Sequence, residues 1–244
     1  DTFIINAGSD AISDLSGNDV IQVGASGTLT ANGITNFVAT ASSSNSGTAN
    51  LNAAAGGGVI NMTNAGTGNF IISGGAGTDT LTGGGGDDTF KINLTTEGNS
   101  DTVDGKGGAN TLELSTGVHT LTNNSKLVNI QTIKTNSSGS QLDLTNQSED
   151  FTIEVGAGTD NVKGGSGADT IKINSAGQGN ADTLDGGAGT DKLILSSGSH
   201  TFADNNKIVL IEQVQMNSSD SSLDLSGQTE GFTITGGAGV DTIK

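Results

Sequence analysis

The sequence predicts an all-β chain wound as a right-handed parallel β-roll or β-solenoid with glycine-rich turns. Three observations predict it. The chain matches itself without a gap at a shift of 81 residues, and a period of nine runs inside that match. Its apolar residues alternate or stand singly between glycines, with no sustained 3.6-residue period.

The long repeat lays residues 83–163 over 164–244. GGGGDDTFKI at Gly83–Ile92 falls on GGSGADTIKI at Gly164–Ile173, and SDTVDG at Ser100–Gly105 falls on ADTLDG at Ala181–Gly186. QLDL at Gln141–Leu144 falls on SLDL at Ser222–Leu225, His119 on His200, and Lys126 on Lys207. Residues 1–82 read as a diverged first copy. DTFII (Asp1–Ile5) resembles DTFKI (Asp88–Ile92), and FIISGGAGTDTLT (Phe70–Thr82) resembles FTIEVGAGTDNVK (Phe151–Lys163). The expected organisation is three modules, 1–82, 83–163 and 164–244, in one continuous solenoid that is an excerpt of a longer chain.

The short period is a nonapeptide, G-G-x-G-x-D-x-U-x, where U is large and apolar. GGAGTDTLT (Gly74–Thr82) and GGGGDDTFK (Gly83–Lys91) are contiguous, and VGAGTDNVK (Val155–Lys163) and GGSGADTIK (Gly164–Lys172) form a second tandem pair. Further copies stand at Gly186–Ile194 and Gly236–Lys244, with weaker ones at Gly105–Leu112, where Asn110 replaces the aspartate, and at Leu15–Ile21. Six residues make a turn in which glycine permits left-handed or crowded backbone. The remaining three make a short strand whose U residue points inward while its neighbours point out. Turn carbonyls and the aspartate carboxylate then face one concavity. Clustered hard oxygens suit Ca²⁺, and turns stacked about 4.8 Å apart can share one ion.

Between the turns lie polar arms. TLELSTGVHTL (Thr111–Leu121), KLVNIQTIKTN (Lys126–Asn136) and QLDLTNQSEDFTIEV (Gln141–Val155), with their second copies, read as short strands broken by Ser, Asn and Gly turns. Asparagine at these turns is read equally as a stacked side-chain ladder or as ordinary turn usage. Ala39–Ala55, rich in Ser, Ala, Asn and Gly, is expected to be a widened loop.

Composition narrows the functional classes. Hydrophobic residues are 32% and aromatics 3%, all Phe, which suits a thin core shared between stacked coils rather than a thick globular one. The 40 glycines come with no proline, which excludes collagen. Nine Lys+Arg against 26 Asp+Glu leave a formal charge of −17, opposing nucleic acid and anionic membranes. That charge is read either as a solvated acidic surface or as carboxylates offset by bound divalent cations. No cysteine is present, and no apolar run is long enough to span a membrane. No enzyme is expected. HExxH, GxSxG and P-loop motifs are missing, and Gly105-Lys106-Gly107 lacks the rest of a phosphate loop. His119 and His200, the two histidines, are read as solvated strand or turn residues.

GGAGTDTLTGGGGDDTF (Gly74–Phe90) and GGSGADTIKI (Gly164–Ile173) resemble the RTX proteins, whose nonapeptide is a calcium-binding β-helix repeat. The arms, with LVNIQTI (Leu127–Ile133) and IVLIEQV (Ile208–Val214) followed by LDL, look more like the RTX proteins that form bacterial surface (S-) layers. The resemblance implies export unfolded by a type I system, folding on external calcium, and ion-bridged self-association into a cell-surface lattice. Polysaccharide anchoring would lie outside this stretch. The alternatives are a calcium-dependent adhesin, or the secretion and folding module of a larger secreted enzyme. Carried onto this chain, the resemblance implies Ca²⁺ ligands at Asp79, Asp88, Asp160, Asp169, Asp191 and Asp241, with Asp87, Asp101, Asp104, Asn110, Asp182 and Asp185 as further members. Turn positions Gly74, Ala76, Thr78, Gly83, Gly85, Gly164, Ser166 and Ala168 complete the set. Asn110 lacks the charge, and Val155 replaces the first glycine of its unit.

Overall fold

The computed structural model describes every residue except 67, 93–99, 175–180, 203 and 218. The described residues form an all-β parallel solenoid and contain no helix. They fall into two compact units, one of Asp1–Ser115 with Ser125–Gln131, the other of Thr116–Asn124 with Thr132–Lys244.

In the first unit, one parallel ladder runs through Thr2–Ile12, Val20–Ile34, Thr48–Ala53, Ile71–Ser73, Thr89–Ile92 and Thr111–Leu114. A second runs through Asn36–Val38, Val59–Asn61, Thr80–Thr82, Thr102–Asp104 and Leu127–Val128. In the second unit the corresponding ladder is Thr132–Lys134, Thr152–Val155, Thr170–Ile173, Lys192–Leu195, Gln213–Met216 and Thr233–Thr235. Two further ladders face it, Gly117–Thr120 to Ile208–Val209 by way of Ser140–Asp143, Asn161–Lys163 and Thr183–Asp185, and Gly198–Thr201, Ser221–Asp224 and Thr242–Ile243.

Register shows what the nonapeptide builds. Ile71 pairs with Thr89, a step of two nonapeptides, and Thr89 then pairs with Thr111. Strand Thr80–Thr82 lies in one ladder and Thr89–Ile92 in the other. Each nonapeptide is therefore half a coil, and contiguous nonapeptides face each other across the core. They do not stack, which corrects the reading that tandem turns sit one on the next.

The core is two columns of single apolar side chains. Ile60, Leu81, Val103 and Leu127 form one, and Ile72, Phe90 and Leu112 the other; each is at most 2% exposed. Ile153, Ile171, Leu193 and Val214 repeat the pattern in the second unit, opposite Leu142, Val162, Leu184 and Ile208. The inward direction expected for U holds at Leu81, Phe90, Val162, Ile171 and Leu193, whereas Ile243 is 48% exposed.

Two other expectations are corrected. His119 and His200 are buried, not solvated. They occupy core positions in register with Leu142 and Leu223, because the strand alternation at Gly117–Thr120 and Gly198–Thr201 turns the imidazole inward. The stretch Ala39–Ala55 is not a widened loop. Thr48–Ala53 is a strand paired with Val20–Ile34, and Ala49 and Leu51 are buried there because strand alternation turns them inward.

Each coil shields its neighbour's apolar column, so removing one large side chain opens a cavity that cannot collapse along a regular stack. Phe90→Ala is expected to destabilise the calcium-loaded protein by about 3–5 kcal/mol, read as a lower denaturant midpoint. Val118→Ala, at a position 47% exposed, is expected to change it by less than about 0.5 kcal/mol.

Candidate metal centre

The turn ends carry a second kind of ladder, made by side chains. Asp79 accepts the Gly58 N–H at 2.7 Å on Oδ1 and the Gly75 N–H at 3.0 Å on Oδ2. Its own N–H donates to Asp101 Oδ1 at 2.9 Å. Asp88 accepts the Phe70 and Gly84 N–H groups, each at 2.7 Å, and donates its N–H to Asn110 Oδ1 at 2.9 Å. The Asn110 N–H donates to Gln131 Oε1 at 2.7 Å.

The second unit repeats this. Asp160 accepts from Ser140 at 2.7 Å and donates to Asp182 at 2.8 Å. Asp169 accepts from Phe151 at 2.8 Å and Gly165 at 3.0 Å, then donates to Asp191 at 2.7 Å, and the Asp191 N–H reaches Glu212 Oε2 at 2.7 Å. Asp241 accepts from Ser221 at 3.1 Å and Gly237 at 2.8 Å. Asp79, Asp88, Asp101, Asn110, Asp160, Asp169, Asp182 and Asp191 are all at most 2% exposed.

The first glycine of each turn makes room for oxygen. A β-carbon on Gly83 would sit 2.4 Å from Asp88 Oδ2 and 2.6 Å from the Gly105 carbonyl oxygen. One on Gly164 would sit 2.7 Å from Asp169 Oδ2 and 2.1 Å from the Gly186 carbonyl oxygen. One on Gly74 would lie 3.0 Å from Asp79 Oδ2. A carboxylate oxygen and the carbonyl of the next coil thus converge at Gly83 and at Gly164. Where Val155 replaces this glycine, the next N–H, of Gly156, goes to the Thr135 hydroxyl at 2.8 Å instead.

Burial sets the electrostatics. Desolvation pushes Asp88, Asp160 and Asp191 up to about 6, against the backbone hydrogen bonds they accept, and it raises Asp169 as well. Neighbouring carboxylates add to the rise: Asp87 for Asp88, Asp182 for Asp160, and Asp169, Glu212 and Asp185 for Asp191. Such a group gains from a proton or a cation.

The remaining expected positions scatter. Asp104 is tied to Lys106 Nζ at 2.8 Å and to Asn129 at 2.8 Å; burial acts against its ionisation, and these partners outweigh it, holding it below the usual carboxylate range. Asp185 accepts the Gly187 N–H at 3.1 Å, and Asp87 accepts the Ala109 N–H at 2.7 Å. Gly85 packs beneath Gly107, and the Thr78 carbonyl faces Gly57. The Ser166 N–H and hydroxyl both donate to the Gln147 carbonyl, the Ala168 N–H donates to Asp150, and Ala76 is half-buried. Among the described residues no three acidic or histidine side chains gather as a metal group. Paired carboxylate and carbonyl oxygens in buried turns fit Ca²⁺, a hard cation that takes oxygen ligands.

Gln131 and Glu212 belong to the ladders and escaped the motif. Their only signal is their equivalence at 81 residues. Asn69, Asp150 and Asp220 were missed too: each accepts an N–H of the neighbouring coil just outside the buried aspartates.

The family model of the RTX calcium-binding nonapeptide repeat matches in four copies, over residues 4–26, 56–90, 152–172 and 176–199. The chain carries RTX nonapeptide repeats. RTX repeats bind Ca²⁺, and the RTX β-roll is a structural, non-catalytic module of typically secreted, extracellular proteins. No curated protein and no solved structure matches the chain. No helix among the described residues is long and apolar enough to cross a membrane.

Two outcomes follow for the RTX turns. Gly83→Ala drives a methyl into the oxygen pair and is expected to weaken calcium-dependent stability by about 1–3 kcal/mol. Gly231→Ala, whose added carbon meets nothing within 4 Å, is expected to leave it unchanged, with calcium titrations followed by circular dichroism as the measure. Asp88, Asp160 and Asp191 rise in the folded state from 3.8 to about 6. Their contribution to calcium-free stability is therefore full below about pH 4 and lost as pH climbs through about 6. In EDTA the thermal midpoint is expected to be higher at pH 5 than at pH 7.5, and saturating calcium is expected to remove that difference.

Proposed function

We propose that this chain is a segment of a bacterial S-layer protein, exported by a type I system, whose calcium-dependent folding supports assembly into an extracellular lattice. The modules 1–82, 83–163 and 164–244 would be its repeating units, and anchoring to cell-surface polysaccharide would reside elsewhere in the protein. The observation that carries this reading is the outward face of the long ladders. In the first unit Thr89 is in register with Thr111, and Lys91 is 3.3 Å from Glu113. In the second, Thr132, Thr152 and Thr170 form a threonine column beside Lys134, Glu154 and Lys172, with Lys134 3.8 Å from Glu154.

Four of the nine cationic residues, Lys91, Lys134, Lys172 and Lys192, stand on these faces of a chain whose charge is −17. A polar surface of alternating sign favours side-by-side contact between copies, while acidic turn edges repel one another unless divalent cations intervene. The same charge disfavours nucleic acid as a partner.

Electron microscopy of purified protein after calcium addition tests the reading. Ordered sheets are expected with calcium and dispersed, less structured chains with EDTA. Folded monomers at every calcium concentration would defeat the lattice and favour an adhesin or a secretion and folding module.

A further inference from the structure

The two units hold equivalent coils whose buried ladders differ at two matched positions. Shifted by 81, Asp88-Asn110-Gln131 becomes Asp169-Asp191-Glu212. Each amide of the first ladder is replaced by the acid of the same length in the second. The backbone does not distinguish them. The Asp88 N–H meets Asn110 as the Asp169 N–H meets Asp191, and Gln131 and Glu212 each accept the next N–H at 2.7 Å. The Gly107 N–H binds the Gly84 carbonyl as the Ala188 N–H binds the Gly165 carbonyl. Asn129 and Leu210 both take left-handed backbone, at φ 56° and 49°.

What differs is the second atom of the side chain. Asn110 Nδ2 donates to the Gly107 carbonyl at 3.1 Å and the Asn129 carbonyl at 3.0 Å, filling the space between two oxygens with hydrogen. In the other unit that atom is Asp191 Oδ2, which is fully buried and has no hydrogen-bond partner. A β-carbon on Gly186 would lie 2.7 Å from it and 2.2 Å from the Leu210 carbonyl oxygen, so two oxygens converge with no donor between them. The N–H of Gly187, four residues before Asp191, goes to Asp185, just as the Lys106 N–H goes to Asp104, so in neither unit does it reach the ladder side chain. Leu210 holds its carbonyl there in a conformation unfavourable to leucine and natural to asparagine, with its side chain 53% exposed. The RTX repeat pattern covers 176–199, which includes Asp191, and does not cover Asn110.

We propose that Asp191, the carbonyls of Ala188 and Leu210, and Glu212 form a calcium site between a nonapeptide turn and the following arm, and that the Asn110 carboxamide is its built-in substitute in the other unit. Leu210 and Glu212 stand outside the nonapeptide, so this ion closes the ladder at the turn-to-arm step where no tandem turn follows. One unit thereby closes its ladder with an amide and needs no ion there, while the other needs one. The proposal rests on the calcium reading of the RTX turns.

The full chain carrying Asp191→Asn and Glu212→Gln tests it, measured by calcium-binding stoichiometry and by thermal midpoints in EDTA and in calcium. The expected result is one ion fewer per chain and a higher midpoint in EDTA than the parent, since an amide now closes the ladder without metal. The reciprocal Asn110→Asp with Gln131→Glu is expected to add one ion and lower the midpoint in EDTA, with recovery on adding calcium. Unchanged stoichiometry in both variants, in a parent that binds calcium, overturns the site while leaving the calcium reading intact. A parent that binds no calcium overturns both.

Discussion

A backbone N–H at a turn has no strand partner, and in a stacked coil it is buried against the next turn. In this protein such groups on the buried turn ladders are met by a carboxylate or amide from the coil that follows, as Gly58 is met by Asp79 and Ser140 by Asp160. Every buried donor must find an acceptor, and an aspartate here answers two, one in its own turn and one in its neighbour's. The hydrogen bonds between strands hold the faces of the solenoid. The carboxylate ladder holds its edges.

That solution has an electrostatic consequence. Each acceptor is an acid removed from water, and the next acid lies one coil away. Burial and like charge together favour neutralisation, by a proton at low pH or by a cation at neutral pH. The oxygens that satisfy the backbone are also the ones a bound cation would neutralise, so calcium held by these turns would favour the folded stack. The core cannot carry the stack alone, because each coil supplies only single Leu, Ile, Val or Phe residues to each column. A coil without neighbours would expose both its column and its ladder, which makes stability cooperative along the axis.

Much of this is legible in the sequence. The nonapeptide marked the short strands and the inward Leu81, Phe90, Val162 and Ile171, because alternation and glycine turns are local properties. The aspartates at the turn ends were legible for the same reason. What escaped depended on pairing at a distance. Asp79 and Asp88 are nine residues apart yet belong to different edges, since the partner of each lies 22 residues on. His119 reads as polar, and only the register with Leu142 places it inside. Gln131 and Glu212 carry no motif, and their part in the ladders appears only when the arm folds back beside the turn.

By itself, the sequence determined the all-β class, the nine-residue turn-and-strand unit, the direction of its apolar residue and the affinity of the turns for calcium, because each follows from the chemistry of nine neighbouring residues. Tertiary structure alone decided which turns stack, which acids share a ladder and where an amide stands in for charge. Those outcomes depend on how many residues the chain uses to travel once round the coil, a distance that local composition does not encode.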